Sequence, residues 1–294
     1  MLTGIVEGQN EIEIVYENKY QNDGTGLHKY TDPEDSREYF YTQFESFNAH
    51  KCFPCFDQPD LKANLKLMIM APDSWKVISN EHEEEPVNIE TEWNGDSPVY
   101  SYRDTSKAFI LHTFQETPRI STYLYAICAG PYISFDKPEN SFGRPLRLFC
   151  RSSQTKYMEA MADYIFTWTE KGMAFYGDFF GITYPFSKYD QVFCPEFNAG
   201  AMENVGCVTY NEALIPKETP SKSRLTRLCH VLMHEMAHMW YGNLITMRWW
   251  EDLWLNESFA EYISHYCMAK GFGDEFLDIW GYFLGGKAWG YSTD

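Results

Sequence analysis

The chain of 294 residues is long enough for one large or two ordinary domains, and its 44% hydrophobic and 17% aromatic content excludes a disordered segment. Acidic residues outnumber basic ones 42 to 24, a formal charge of -18, which argues against a nucleic-acid partner because phosphate binding requires a basic surface. An acidic field favours cationic ligands, although the run Glu81-His82-Glu83-Glu84-Glu85 reads simply as a solvated loop.

The first half reads as β structure. Glu11 to Tyr16, Leu61 to Met70, Trp75 to Ser79, Lys107 to Phe114, Tyr123 to Cys128 and Pro145 to Cys150 alternate or run apolar and are rich in strand formers. Asn22-Asp23-Gly24, Asp32-Pro33-Glu34 and Asn94-Gly95-Asp96 supply turns. Near residue 150 the period changes. Gln154 to Phe180 sets Tyr157, Met158, Met161, Ile165, Phe166, Trp168 and Met173 at helical spacing. A strand around Tyr189 to Phe193, a glycine-containing turn and a second strand near Cys207 to Tyr210 come next. Two helices follow, over roughly Ser223 to Tyr241 and Leu253 to Lys270, the latter stopped by Gly271-Phe272-Gly273. The order predicts an α+β chain: a β-rich domain over residues 1–149, then an α+β domain over 150–294, with a cleft between them as the usual place for a site.

No run approaches the roughly 18 apolar residues of a membrane span, and Met1-Leu2-Thr3-Gly4 does not open a signal peptide. Eight cysteines lack the rhythm of a disulfide framework. Cys52-Phe53-Pro54-Cys55 is the one close pair; with no second such pair and an apolar filling, it reads as a packed loop. Cysteine usage therefore points to a reducing, cytoplasmic setting.

The chemistry lies in His234-Glu235-Met236-Ala237-His238, followed after eighteen intervening residues by Glu257. Residues four apart share a helix face, so His234 and His238 can address one ion. Catalytic zinc takes three protein ligands and leaves a fourth position for water; two His and one Glu form one of its standard sets, which Glu257 completes from a second segment. Glu235 projects about 100° round the helix from His234, beside such a centre but outside its ligand set, where a general base belongs. The pentad sits in an apolar-periodic run of Leu228, Val231, Leu232, Met236, Met239 and Trp240, with Gly242 placed to end the helix. His230 shares the face of His234, but side chains spread over roughly 12 Å of helix cannot meet at one ion. It reads as a packed or hydrogen-bonded helix residue.

Gly200-Ala201-Met202-Glu203-Asn204 follows a strand and ends thirty residues before His234. Alone it looks like an ordinary turn. Together with the HExxH pentad and Glu257 it resembles the zinc aminopeptidases typified by aminopeptidase N, whose hallmark is that pentapeptide, HExxH, eighteen residues and a Glu. Phe197-Asn198-Ala199, Trp240-Tyr241-Gly242-Asn243 and Trp249-Trp250-Glu251-Asp252-Leu253-Trp254 match as well, as do Thr42-Gln43-Phe44-Glu45 and Phe53-Pro54-Cys55-Phe56-Asp57 upstream.

The resemblance implies an incomplete saddle-like β sheet ahead of a thermolysin-like metallopeptidase domain, with one zinc ion per chain. It further implies that Glu203 and Glu45 hold the α-ammonium of a peptide with a free N-terminus, a group that is mostly cationic at neutral pH with a pKa of about 8. Gly200, Ala201 and Met202 would lie along the substrate, where small residues allow close approach. Without the resemblance Glu45 is an unremarkable acidic residue near a strand end. Glu235 takes the role of general base, and Glu261, one turn beyond Glu257, that of an outer partner to a ligand or, equally, a solvated helix carboxylate.

The family's oxyanion-stabilising tyrosine would fall beyond Asp294, so none is carried over. Val205 and Ser258 depart from the usual pattern without touching the chemistry, and the sequon Asn256-Glu257-Ser258 is set aside because a glycan there would wreck the site. Two alternatives stand beside a zinc aminopeptidase. One is a non-catalytic zinc-binding relative acting as a scaffold. The other is a relative of the leukotriene hydrolases, which Ala201 and Glu45 disfavour, since those enzymes tend to carry Gly and Gln there.

Overall fold

A computed structural model describes residues 4–88 and 108–293. Its first strands are β1 (Gly26–Thr31), β2 (Glu38–Gln43), β3 (Met68–Pro72), β4 (Lys76–Ser79), β5 (Val87–Asn88) and β6 (Phe109–Thr113). β7 (Ile127–Gly130), β8 (Ile133–Lys137) and β9 (Leu146–Cys150) lead into helix α1 (Thr155–Phe180). Strands β10 (Tyr189–Cys194), β11 (Ala201–Met202) and β12 (Cys207–Asn211) precede α2 (Lys222–His238), α3 (Leu253–Gly271) and α4 (Ile279–Thr293).

Among the described residues the strands form three sheets: an antiparallel β1-β2-β7-β4, an antiparallel β3-β6-β5, and a mixed β11-β12-β10-β9-β8. β9, β10 and β12 run parallel, and β10 is buried along its whole length. That burial on both faces explains why Tyr189 to Cys194 shows no polar alternation. The β8–β9 hairpin precedes residue 150 yet belongs to this sheet. Sheets ahead of a mixed sheet with packed helices make the chain α+β, as expected.

Several sequence expectations need correction. Glu11 to Tyr16 forms no strand; Ile12, Ile14, Val15 and Tyr16 are each about half or more exposed. Strand-forming composition is not enough where no neighbouring strand takes up the backbone groups. In Leu61 to Met70 only the end, from Met68, is strand; Lys62 and Asn64 instead reach Asn243 O at 2.9 Å and Thr117 O at 2.6 Å through their side chains. Tyr123 to Cys128 begins as a 3₁₀ turn, Thr122–Leu124, and becomes strand only at Ile127. A short apolar run does not distinguish the two. The acidic run is not simply solvated: Glu81 is buried and accepts from Ser187 Oγ, while Glu83 meets His112 Nδ1 at 2.5 Å. β1, β5, β8, β11 and helix α4 have no counterpart in the sequence reading, which of β2 gives only its end near Glu45. The turn at Asn94-Gly95-Asp96 and the start of the strand at Lys107 lie outside the described residues.

The β1–β4 sheet is fastened to the mixed sheet by buried polar groups. Lys188, 1% exposed, donates to Ser79 O at 2.6 Å and Gly206 O at 2.7 Å, and pairs with Asp190 at 2.5 Å. Asp190 also receives a bidentate grip from Arg147 at 2.7 and 2.6 Å. Asn80 donates to Leu124 O and Val205 O and accepts from Ala126 N. Gly206 adopts φ +67°, and a Cβ there would come within 2.1 Å of Asn80 O, so this close approach requires glycine.

The helices meet as tightly. A Cβ on Gly172 of α1 would lie 2.6 Å from Met233 Sδ and 2.8 Å from Met236 Sδ of α2. Tyr176 Oη donates to Met233 O at 2.9 Å, and Trp240 Nε1 to Ile182 O at 2.7 Å. α2 is thus seated on α1 by one missing side chain and the Tyr176 hydrogen bond, while the Trp240 bond joins the segments that follow the two helices. No described helix is long and apolar enough to cross a membrane.

Burial disfavours the Asp190 carboxylate, but Lys188 and Arg147 outweigh it and hold its pKa below the ordinary value. Its contribution to stability is therefore fully present above about pH 4 and lost as pH falls through the depressed folded-state value. Asp190→Asn, which leaves two cations with no counter-charge, should cost about 3–5 kcal/mol in urea unfolding at pH 7. The difference from wild type should shrink on acidification; a pH-independent difference would contradict the ion-pair origin.

Candidate metal centre

α2 starts where Ser221 Oγ accepts from Arg224 N at 3.3 Å, an N-cap that satisfies one of the free donors of the first turn. It ends at His238, earlier than expected, because the chain turns there: Asn243 N returns to His238 O at 2.9 Å. Gly242, at φ +130°, belongs to this turn and not to the helix terminus itself. α3 begins at Leu253 after a 3₁₀ turn, Trp250–Asp252, and crosses α2 so that Glu257 faces the paired imidazoles.

His234, His238 and Glu257 each offer a ligand atom within 4.8 Å of the others. His234 Nε2 lies 3.0 Å from His238 Nε2 and 3.2 Å from Glu257 Oε2, and His238 Nε2 lies 3.6 Å from Glu257 Oε1. Ligands about 2.0–2.1 Å from a tetrahedral ion stand about 3.3 Å apart, so these separations fit zinc. The outer nitrogens are engaged elsewhere. His238 Nδ1 faces Asn256 Oδ1 at 3.0 Å and Tyr241 O at 3.2 Å, while His234 Nδ1 faces Glu261 Oε2 at 3.4 Å. Protons carried on both Nδ1 atoms leave the Nε2 lone pairs aimed at one another, an arrangement that calls for a shared cation.

Glu235 is 5% exposed and not among the grouped ligands. Burial, reinforced by Glu203 and Glu257 and opposed by His234 and His238, pushes its pKa up to about 8. Burial pulls the His238 imidazole down, but Glu203 and Glu257 prevail and raise it to about 9. Burial would raise Glu257 too, yet the two imidazoles hold it well below the carboxylate range.

Glu45, Glu203 and Glu257 form a second group within 4.8 Å. Glu45 follows β2, and Glu203 follows β11, where Asn243 Nδ2 fixes the main chain by donating to Glu203 O at 2.7 Å. Oε1 of each is buried without a hydrogen-bond partner. Burial and their mutual repulsion raise the pKa of Glu45 well above its ordinary value; burial also raises Glu203. Gly200 has nothing within 4 Å of where a Cβ would stand, and Ala201 and Met202 form the end strand of the mixed sheet. The Met202 side chain is fully buried, so its main chain is what it presents along that edge.

Every site residue expected from the sequence is therefore gathered around α2 and α3. Three others had no motif to announce them. Asn256 orients His238, and its neighbour Gly242 makes room: a Cβ on Gly242 would strike Asn256 Oδ1 at 2.5 Å and approach His238 Nδ1 to 3.1 Å. Tyr123, fully buried, brings an unpartnered hydroxyl into the field of Glu203, Glu45 and Glu257. Asn256 left a trace because it adjoins Glu257 in sequence, and Gly242 because it lies in the family-matching Trp240-Tyr241-Gly242-Asn243; Tyr123 left none.

Comparison with known families agrees with this geometry. The family model described as Peptidase M1 N-terminal domain matches residues 2–124, and that described as Peptidase family M1 domain matches residues 164–289. The chain belongs to peptidase family M1. Among its M1 relatives, Aminopeptidase N of Streptomyces lividans is 39% identical over 100% of this chain and 32% of its own length. Probable aminopeptidase 2 of Sulfurisphaera tokodaii is 36% identical over 98% of this chain and 33% of its own. Aminopeptidase 2, mitochondrial, of Saccharomyces cerevisiae is 36% identical over 85% and 23%. The chain thus spans a third or less of these relatives.

Gly242→Ala should displace Asn256 from His238 and weaken zinc binding about 10- to 100-fold, and Asn256→Ala should match it. Competition against a chromophoric chelator measures both. Undiminished affinity in the two variants would remove Asn256 from the site.

Proposed function

We propose that this chain carries the catalytic centre of a zinc-dependent aminopeptidase, with His234, His238 and Glu257 as the metal ligands. Bound there, zinc would supply Lewis acidity towards a peptide carbonyl and towards water. Glu235 serves as general base: buried, with a pKa raised to about 8, it has the proton affinity to accept a proton from water and later return it to the departing amine.

One observation carries the choice of an exopeptidase. Glu45 and Glu203 place two buried carboxylate oxygens, unpartnered among the described residues, beside Glu257, and no described side-chain cation hydrogen-bonds to them. Buried carboxylates are costly to leave without a counter-ion, and a peptide α-ammonium is a cation of the right charge and donor number to supply one. Reading that ammonium measures one residue from the chain end. The edge of β11 then offers main-chain groups to an extended peptide, and the space around Gly200 admits it. In this reading residues 1–149 contribute the wall bearing Glu45, and residues 150–294 contribute the remaining machinery. The aminopeptidase names of the relatives point the same way.

Incubation with an alanyl chromogenic amide, with and without chelator, tests the proposal. Release is expected from the free amine, not from its N-acetyl derivative, and should stop with chelator. Cleavage of the acetylated substrate would refute ammonium recognition, and chelator-insensitive release would refute the metal mechanism. Glu235→Gln should lower turnover at least about 10²- to 10⁴-fold at unchanged zinc content. Glu203→Gln should act chiefly through KM for the free-amine substrate.

A further inference from the structure

His230 and His265 lie outside the set just described, yet they are arranged like it. His230 stands four residues before His234 on α2, and His265 four residues after Glu261 on α3. His230, Glu261 and His265 each offer a ligand atom within 4.8 Å of the other two, the same clustering found for His234, His238 and Glu257. His230 Nε2 is 3.3 Å from Glu261 Oε2, close to the edge of a tetrahedral zinc site, about 3.3 Å. The two imidazole rings lie with centroids 4.2 Å apart and planes tilted 55° to one another.

These rings are costly to leave as they are. His265 is 0% exposed and His230 7%, and Nε2 of each is buried without a hydrogen-bond partner. His265 Nδ1 lies 2.7 Å from Glu261 O, which places its proton on Nδ1 and a bare lone pair on Nε2. Tyr282 of α4 covers the pair, its ring 5.6 Å from His230 and 5.9 Å from His265, with Phe283 5.1 Å from His265 on the same side. Two buried imidazoles and one carboxylate, with His265 Nε2 lacking a hydrogen-bond partner among the described residues and His230 Nε2 turned to Glu261 Oε2 at 3.3 Å, constitute a divalent-cation donor set.

We infer that His230, Glu261 and His265 form a second divalent-cation site, suited to Zn²⁺, adjoining the first through a shared outer carboxylate. Glu261 Oε2 is also the 3.4 Å partner of His234 Nδ1. An ion at the second site draws that carboxylate away from His234, whose imidazole then loses the acceptor that raises its basicity as a ligand. The two sites are therefore antagonistic: filling the second weakens the first.

The test is titration of tag-free, chelator-stripped full chain with Zn²⁺ against a chromophoric indicator, with metal content read after gel filtration. Wild type should bind two equivalents, the second more weakly. His265→Gln and His230→Gln should each bind one, with far-UV circular dichroism of wild type. His238→Ala should also bind one, now at the second site, so this outcome does not depend on aminopeptidase activity. Titration with Co²⁺ provides a reading free of variants: visible absorption should continue to grow between one and two equivalents. Saturation of wild type at one equivalent overturns the inference outright. Retention of two equivalents in both Gln variants also overturns it, by locating the second ion elsewhere, such as among Glu45, Glu203 and Glu257.

Discussion

Two imidazole nitrogens held 3.0 Å apart, each with its other ring nitrogen committed to an acceptor, are the constraint around which this molecule is arranged. Neither ring can turn away without abandoning Asn256 or Glu261, and Glu257 faces both inner nitrogens, at 3.2 and 3.6 Å. The surrounding packing enforces the arrangement. Gly172 lets α1 press against α2, Gly242 lets Asn256 reach His238, and Asn243 ties the turn after α2 to the main chain of Glu203. Each is a place where a side chain is absent or a polar group is spent so that a ligand keeps its direction.

Charge links this centre to the β-rich half. Glu45 comes from the end of β2, and Glu203 from the edge of the mixed sheet; they converge only because Lys188, Asp190, Arg147 and Asn80 lock the sheets together. The result is a buried region where carboxylates outnumber the cations able to answer them. Burial there, with Glu203 and Glu257 nearby, pushes the pKa of Glu235 up to about 8, while the two imidazoles hold Glu257 well below the carboxylate range: two carboxylates given opposite character by their surroundings.

Legibility in the sequence followed the range of the interaction. The helices α1, α2 and α3 were readable because their apolar period runs through many residues, as were β9, β10 and β12, whose apolar runs are bounded by turns. The β1–β2 hairpin escaped notice because His28, Lys29, Glu38 and Gln43 dilute its pattern, although β2 is almost wholly buried. Glu11 to Tyr16 misled in the opposite sense, having strand chemistry and no strand to pair with. Helix length separates His230 from His238, and its neighbour His265 could be found only where two helices cross. The shared face of Glu261 and His265, four residues apart, was the available hint.

By itself the sequence determined the candidate ligand residues, their spacing along a helix and the family resemblance, because these depend on residue identity and on a 3.6-residue period. Tertiary structure decided which nitrogen of each imidazole faces inward, which carboxylates are buried unpaired, and that Glu261 is shared between two His pairs. Those facts depend on the crossing of α2 with α3 and the closure of sheets distant in sequence, which no local pattern encodes.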